Sequence, residues 1–438
     1  SGILMDWPRY AFYWKYNEGS GRTSSHLRVR SSSFNRNYNN GESYIQYSEV
    51  TELYLDNGCI NYLFTDYVTN PDENNFGTKI LDATIYPLIN NVHLWNSYVG
   101  IKFNNKSFER GIPKTISSYK KDGSNFYIVN KKETTQFTGS SDFPNSYLVG
   151  VHQTGGIAQS YKKYYYPFLP KQTVEITYSE NGTNPVTITT NYQYNNNGYL
   201  IYKDYSTSNG DVIKSKIRYP ADINNSIYSS MIFLNMLNFP IEQTSLRNNY
   251  VIGGTLTTYK TGGGSYVPDK VYLVETISPL PSFSYFNGIT KDISYASTAE
   301  TEFISYNSEG KLLKSLTKNG LYNYYIWAYN KQYPIAKIET PLNTTISISV
   351  NDNNLSKSTI LNSIKNDVIY LKGLLSTFLN DKNYQVTIYT YKPLVGITSQ
   401  TNSSGITIYY QYDSLGRLEY IKDHDEKLSK KYSYNYAN

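Results

Sequence analysis

The sequence is poor in the residues on which cross-linked and metal-based sites depend. The 438-residue chain contains one cysteine, Cys59, and four histidines, His26, His93, His152 and His424. A single cysteine forms neither an internal disulfide framework nor a cysteine-based zinc cage. None of the histidines has the spacing of metal ligands. We therefore expect no metal site and no cofactor.

Charge and long apolar runs are also scarce. Charged residues make up only 17% of the chain, and the net charge is +6. Two small basic groups are Arg22, Arg28, Arg30 and Arg36, and Lys427, Lys430 and Lys431. Neither is long enough to indicate a nucleic-acid surface, and solvated charge is the ordinary interpretation. The longest apolar runs, such as residues 231–237, are too short to cross a bilayer. The sequence thus predicts no nucleic-acid partner and no transmembrane segment.

The familiar catalytic motifs are missing as well. No His-Glu-x-x-His helix, Gly-x-Ser-x-Gly elbow or Walker loop occurs. The glycine run 262–264 does not lead into a helix, so it indicates a hairpin tip rather than a phosphate cradle. The acidic segment 423–426 indicates a solvated turn, since a calcium loop needs more oxygen ligands. We expect no enzyme activity.

Carbohydrate chemistry is the alternative that these absences leave open. A glycoside hydrolase needs two carboxylates that are close only in space, and sequence cannot show this. Trp7, Trp14, Trp95 and Trp327 are able to stack on sugars, although Trp327 lies inside a repeat strand and we expect it in the core. A carbohydrate-binding or glycoside-hydrolase-like surface protein is therefore the second hypothesis.

What the chain has in abundance is strand signal. It contains 49 tyrosines, and β-branched and aromatic residues alternate with period two in runs such as 173–178, 186–192 and 385–391. Asn-Gly and Asp-Gly pairs separate many of the runs, and they predict type I′ hairpin turns. The fold class is therefore mainly β, built of consecutive antiparallel hairpins.

Two segments have helical periodicity instead. The first is 223–237, which Pro240 stops. The second is 356–379, where Ser356 or Ser358 is the candidate cap and apolar residues recur every three to four positions. We expect the apolar face of each helix to pack on the sheet, with a partner-binding face as the less favoured alternative.

A repeated unit links the strands. Each copy has a strand tyrosine, Asp or Asn, two residues, glycine, any residue and leucine. The residues assigned to the repeat are Tyr410, Tyr412, Asp413, Gly416, Arg417 and Leu418; Tyr194, Gly198 and Leu200; and Tyr306, Gly310 and Leu312. The Asp or Asn side chain opens the turn by bonding its own backbone, glycine closes it in the left-handed region, and leucine returns to the buried face. A period of about twenty residues indicates a solenoid, propeller or coiled ribbon.

The segment Tyr-Asp-Ser-Leu-Gly-Arg-Leu at 412–418 resembles the tyrosine-aspartate repeat of the RHS (rearrangement hotspot) and YD-repeat proteins. The segments 391–398 and 326–336 are similar to parts of the large RHS-like surface proteins of Bacteroidota. The resemblance implies a YD-repeat-like curved β-ribbon or partial shell, which encloses polypeptide cargo or serves in adhesion and delivery. Two features depart from the family: Glu426 replaces a turn glycine, and no Asp-Pro autoproteolytic pair occurs.

The resemblance also implies an organisation and a location. We predict an N-terminal β region (1–170), a degenerate repeat ribbon (171–345) with the helical insertion near 223–237, a helical insertion (346–384) and a C-terminal repeat (385–438). The chain is expected to be a piece of a larger secreted or cell-surface protein. Its function would be that of a noncatalytic structural or interaction module holding a protein partner or enclosed cargo, in association with an outer-membrane complex.

Overall fold

The structure, a computed structural model, describes residues 2–4, 11–17, 23–29, 45–54, 57–72, 79–81, 106–137, 147–154 and 157–434. The chain divides into two compact units, Ser1–Ser215 and Lys216–Asn438. Neither unit has a helix, within the described ranges, that is long and apolar enough to cross a membrane.

The first unit is built from antiparallel strands. Its strands are β1 (Gly2–Leu4), β2 (Ala11–Asn17), β3 (Thr23–Val29), β4 (Ile45–Tyr47), β5 (Glu49–Tyr54), β6 (Gly58–Phe64), β7 (Lys79–Leu81), β8 (Pro113–Asp122), β9 (Asn125–Gln136), β10 (Tyr147–Thr154), β11 (Ile157–Tyr164), β12 (Pro170–Thr177), β13 (Val186–Tyr194) and β14 (Leu200–Ser206). Hydrogen bonding runs in the order β5-β6-β8-β9-β12-β13-β14. Three smaller groups are β10-β11-β7, β2-β3 and β1-β4.

Strand β15 (Val212–Arg218) crosses the boundary, and the second unit follows. Its strands are β16 (Glu242–Arg247), β17 (Tyr250–Gly262), β18 (Ser265–Leu273), β19 (Thr301–Tyr306), β20 (Leu312–Thr317), β21 (Tyr322–Ala328), β22 (Tyr333–Thr340), β23 (Gln385–Lys392), β24 (Gly396–Thr401), β25 (Thr407–Tyr412), β26 (Leu418–Lys422) and β27 (Leu428–Lys431). From β16 to β27 every strand pairs antiparallel with the next one in sequence. The predicted class, mainly β with consecutive antiparallel hairpins, is confirmed.

The first helix is shorter than predicted. Helix α1 spans Ser226–Phe233 instead of 223–237, and a 3-10 turn, Pro220–Asp222, precedes it. Asn225 caps its start by accepting a hydrogen bond from the Ile227 amide at 2.9 Å. Its end is set just before Asn235, whose φ of 59° leaves the helical region. Tyr228 and Met231 bury its inner face in a cluster with Ile241, Leu256 and Phe286.

The second helical segment is also shorter, and the predicted caps are wrong. Helix α2 spans Leu361–Leu374 and α3 spans Ser376–Leu379, with Ile360 at the N-cap position of α2. Ser356 is held elsewhere because its amide and hydroxyl both donate to the Asp367 carboxylate, at 2.8 and 2.6 Å. The predicted packing on the sheet is present. Ile364, Val368 and Leu371 of α2, and Leu375 between the two helices, are almost completely buried.

A long segment between β18 and β19 is anchored by a buried ion pair. Arg218 Nη1 lies 2.7 Å from Glu242 Oε2, and the Glu242 side chain is completely buried. The same carboxylate accepts hydrogen bonds from the Phe286 amide and the Tyr295 hydroxyl. Burial first, and then Glu242, raise the pKa of Tyr295, so its hydroxyl stays a donor. The strandless segment is thereby fixed to β16.

Candidate functional site: the repeated hairpin turn

One five-residue turn recurs through both units. In each copy the first residue's amide donates to the carbonyl of the fifth, and the fourth residue's amide donates to the carbonyl of the first, at 2.8–3.1 Å. Within the described ranges the copies are 179–183, 195–199, 207–211, 307–311, 317–321, 402–406, 413–417 and 423–427. This bonding is that of a three-residue hairpin loop with a G1 bulge.

The first side chain of the turn locks the loop. Asp413 Oδ1 accepts from the amides of Leu415 and Arg417, both at 2.9 Å. Asn195, Asn307 and Asn402 accept from the equivalent pairs of amides at 2.9–3.1 Å. Each side chain replaces a missing backbone acceptor, which is the physical reason for Asp or Asn here.

The turn type differs from the prediction. In the Asn-Gly copies only the glycine has positive φ, with values of 78–83° at positions 182, 198, 210 and 320. Type I′ requires positive φ at both central residues. Such a pair occurs instead at the predicted hairpin tip, where Gly263 and Gly264 have φ of 58° and 75°. The Asn-Gly signal located the turns but gave the wrong geometry.

The tyrosine and leucine of the repeat form a fixed pair. Tyr194 opposes Leu200, Tyr306 opposes Leu312, and Tyr412 opposes Leu418, each time beside a register shift. All six side chains are half-buried. Burial raises the pKa of Tyr194 to about 12 and also raises the pKa values of Tyr306 and Tyr412. The three copies therefore share register, burial and protonation state.

Aromatic side chains join each hairpin to the next. Among the described residues of the second unit, five of them donate to a backbone carbonyl in the first half of an earlier strand. The pairs are Tyr306 with Pro268, Trp327 with Leu312, Tyr391 with Pro334, Tyr412 with Ile397, and Tyr434 with Leu418, at 2.7–3.0 Å. The fifth turn residue then covers the ring: Lys311 lies 5.7 Å from the Trp327 centroid and Arg417 4.3 Å from that of Tyr434. Trp327 serves the repeat and is half-buried.

The turn at 413–417 has an additional ion pair. Arg417 Nε and Nη2 lie 2.7 and 2.6 Å from Asp413 Oδ2. The Arg417 amide, followed by its guanidinium, lowers the pKa of Asp413 below its ordinary value. The two charged side chains of this repeat therefore pair with each other inside the turn.

The lowered pKa predicts an acid-dependent loss of stability. A carboxylate with a depressed folded-state pKa stabilises the fold above its unfolded pKa, and this contribution disappears as the pH falls below about 4. Asp413→Asn keeps the amide-accepting oxygen that Asn307 and Asn402 use. We expect the variant to be less stable than wild type at pH 7, with the gap narrowing in acid. Urea denaturation at pH 7 and below about pH 4 measures the difference in unfolding free energy between the variant and wild type. A difference that does not change with pH would contradict the assignment.

The left-handed glycine gives a second prediction. At Gly416, φ is 77°, and a methyl group would meet Val395 only at an ordinary 3.8 Å. Gly416→Ala should therefore destabilise by about 1–2 kcal/mol through the backbone alone. Gly373, inside α2, has open space around it, so Gly373→Ala should stabilise by about 0.5–1 kcal/mol. Thermal unfolding of both variants compares them, and shifts of the same sign would refute the turn geometry.

Other predicted residues lie apart from this arrangement. Tyr410 is half-buried two residues before Tyr412. His424 Nδ1 accepts from the Thr407 amide at 3.1 Å, and Glu426 occupies the glycine position with φ of 65°. Cys59 is free and is the second residue of β6. The predictions for Trp7, Trp95, His93, Arg22, Arg30 and Arg36, and for the side chains of Trp14, His26, Arg28 and His152, lie outside what the structure describes.

Sequence reasoning missed the aromatic donors. It placed a turn signal at Ser404-Gly405 but did not assign residues 402–406 to the repeat. The donors join residues about fifteen or more positions apart, which no local pattern reveals. Asn402 and Gly405 have the same spacing as Asp413 and Gly416, so the membership of this turn in the repeat was detectable. Comparing spacing instead of tyrosine content would have found it.

No protein-family model and no curated protein matches the sequence. Among solved structures, similarity is found to a chain of the Photorhabdus luminescens Tc holotoxin pore, with 10% identity, a TM-score of 0.24, and 78% of this chain and 21% of that chain covered. A TcdB2-TccC3 chain without its hypervariable C-terminal region gives 9% identity, a TM-score of 0.23, and coverage of 85% and 25%. The chain thus spans about a fifth to a quarter of these solved chains. Scores this low carry no argument about family or function, so the resemblance to RHS and YD-repeat proteins stays a prediction. The closer likeness to surface proteins of Bacteroidota stays a prediction.

Proposed function

We propose that this chain is a noncatalytic structural and interaction module of a larger secreted or cell-surface protein. Its hairpins would form part of a shell or scaffold, and one face of the sheet would hold a protein partner or an enclosed polypeptide. Association with an outer-membrane complex belongs to the same proposal.

The use of polar chemistry within the repeat supports this function. The first turn side chain bonds the turn amides, the glycine provides the left-handed backbone, and the aromatic hydroxyl or indole bonds the neighbouring strand. A scaffold needs its polar groups to be hydrogen-bonded within the fold in this way, because each hairpin must be held in register with the next. A hydrolytic site would need titratable groups that converge in a cleft and remain available to a substrate.

Two carboxylates elsewhere in the second unit, the buried Glu242 and the half-buried Asp352, also serve the fold. Glu242 holds Arg218, Phe286 and Tyr295. Asp352 accepts the amides of Tyr329 and Asn330 at 2.8 and 2.6 Å. Both carboxylates bind backbone amides and so fix chain segments, which fits a scaffold.

An electron cryomicroscopy map of the intact native assembly tests the proposal. We expect polypeptide density from a partner or from cargo lying against the sheet. A map with no polypeptide against the sheet would overturn the scaffold function. Density for a bound glycan would instead favour the carbohydrate hypothesis.

A further inference from the structure

A cleft lies where two neighbouring turns meet at one end of the strands. Its volume is about 430 Å³, and it is lined by Thr359, Lys392, Val395 and the residues 412–416 of the terminal turn. This volume falls within the range of about 300–1,000 Å³ typical of ligand sites. The cleft therefore accepts a few side chains rather than a whole domain.

The charge of the cleft comes from one lysine. The side-chain ammonium of Lys392 has no ion-pair or hydrogen-bond partner among the described residues. The neighbouring carboxylate, Asp413, is already neutralised by Arg417 and by two amides. Thr359, Ser414 and Tyr412 also line the cleft. The Tyr412 hydroxyl already donates to the Ile397 carbonyl, so Thr359 and Ser414 provide the other polar side chains. An uncompensated ammonium beside hydroxyl groups matches a carboxylate.

The rim of the cleft is apolar and exposed. Leu415 lines the cleft and is 70% exposed, and Leu394, next to Val395 in the chain, is 98% exposed. Both leucines stand at the tips of the two turns.

Leu394 also adopts a backbone conformation that a leucine disfavours. Its φ is 65°. It follows Pro393 in the turn 392–395, which is closed by the Val395 amide donating to the Lys392 carbonyl at 3.0 Å. Glycine or asparagine normally occupies this position. The Tyr333 hydroxyl accepts from the Leu394 amide at 3.1 Å and holds the conformation. A strained residue whose side chain packs on nothing in its own fold points to a function outside that fold.

We propose that this cleft anchors an acidic side chain of a partner polypeptide, with aliphatic neighbours of that side chain packing on Leu394 and Leu415. The inference rests on the proposed function as a polypeptide-holding module. Lys392 pairs with the carboxylate, and the two leucines give the contact its preference for a peptide over a free acid.

Fluorescence anisotropy of the full chain tests the anchor. The probe is a fluorescein-labelled peptide, Gly-Ser-Leu-Glu-Leu-Ser-Gly, and its counterpart has glutamine in place of glutamate. We expect the glutamate peptide to bind about 10-fold more tightly. Lys392→Gln should abolish this preference and Lys392→Arg should retain it. Equal binding of the two peptides, or no saturable binding of either, would overturn the proposal.

Leu394→Asn separates binding from stability. Asparagine tolerates positive φ, so the variant should keep or raise the thermal midpoint. Its affinity for both peptides should fall at least about 5-fold. A lower midpoint with unchanged binding would show that Leu394 is structural and would refute its role. Displacement of the peptide by an equal concentration of 4-methylpentanoate would assign the cleft to free acids instead. Failure of these peptide assays, together with partner density elsewhere on the sheet, would reject the anchor and leave the scaffold function standing.

Discussion

Gly263→Ala should destabilise the second unit by about 3 kcal/mol or more. A methyl group at this position would overlap the backbone nitrogen and Cα of Gly310, and φ is 58°. Overpacking costs about 1–3 kcal/mol, and a left-handed L-residue adds about 1–2 kcal/mol. The tip of the β17–β18 hairpin and the turn at 307–311 are thus in backbone contact, which leaves no room for a side chain.

Gly264→Ala is the matched control for this variant. The adjacent Gly264 has φ of 75° and nothing within 4 Å of the added methyl, so only the backbone penalty of about 1–2 kcal/mol applies. Urea denaturation of the two variants isolates the contact between turns. Equal losses of stability would mean that the hairpin tips do not touch.

Glu242→Ala should cost about 3–5 kcal/mol, the usual result of removing one partner of a buried ion pair. The variant leaves the Arg218 guanidinium, the Tyr295 hydroxyl and the Phe286 amide without their shared acceptor. The segment between β18 and β19 should loosen first, because Phe286 and Tyr295 both lie in it. Chemical denaturation gives the loss of stability, and hydrogen exchange shows where it begins.

Glu302→Ala provides the comparison on the surface. Glu302 lies 3.3 Å from Lys270, and both side chains are more than a third exposed. Exposed pairs contribute about 0–1 kcal/mol, so this variant should remain close to wild type. If Glu302→Ala were as damaging as Glu242→Ala, burial would not be the source of the effect.

The fold class followed from the sequence because its signals are local. Period-two alternation, tyrosine content and turn glycines all act within a few residues, and they place the hairpins correctly. The turn type did not follow, because Asn-Gly is compatible with both a type I′ turn and a type I turn ending in a G1 bulge. In the structure the polar residue two positions before Asn bonds across the loop: the Ser179 and Thr207 hydroxyls donate to the carbonyls of Thr183 and Asp211.

The helix starts and the cleft depend on contacts distant in sequence. Ser356 looked like a cap, yet Asp367, eleven residues later, binds it instead. Lys392 and the turn at 413–417 lie on different hairpins, and no sequence pattern unites them. Leu394 gave a local signal, Pro-Leu where Pro-Gly or Pro-Asn is usual, which would have identified the strained turn.

The copies of the repeated turn should be interchangeable. The most direct test is the thermal midpoint of a chain in which one copy replaces another. Residues 413–417 of the full chain are replaced by the Asn-Ser-Glu-Gly-Lys of 307–311, and a control has the same five residues with glycine one place earlier. Since both native turns share their bonding and register, we predict a midpoint within about 3 °C of wild type for the exchange and a fall of about 4 °C or more for the control. Equal midpoints for exchange and control, or a large fall in both, would contradict a common turn unit.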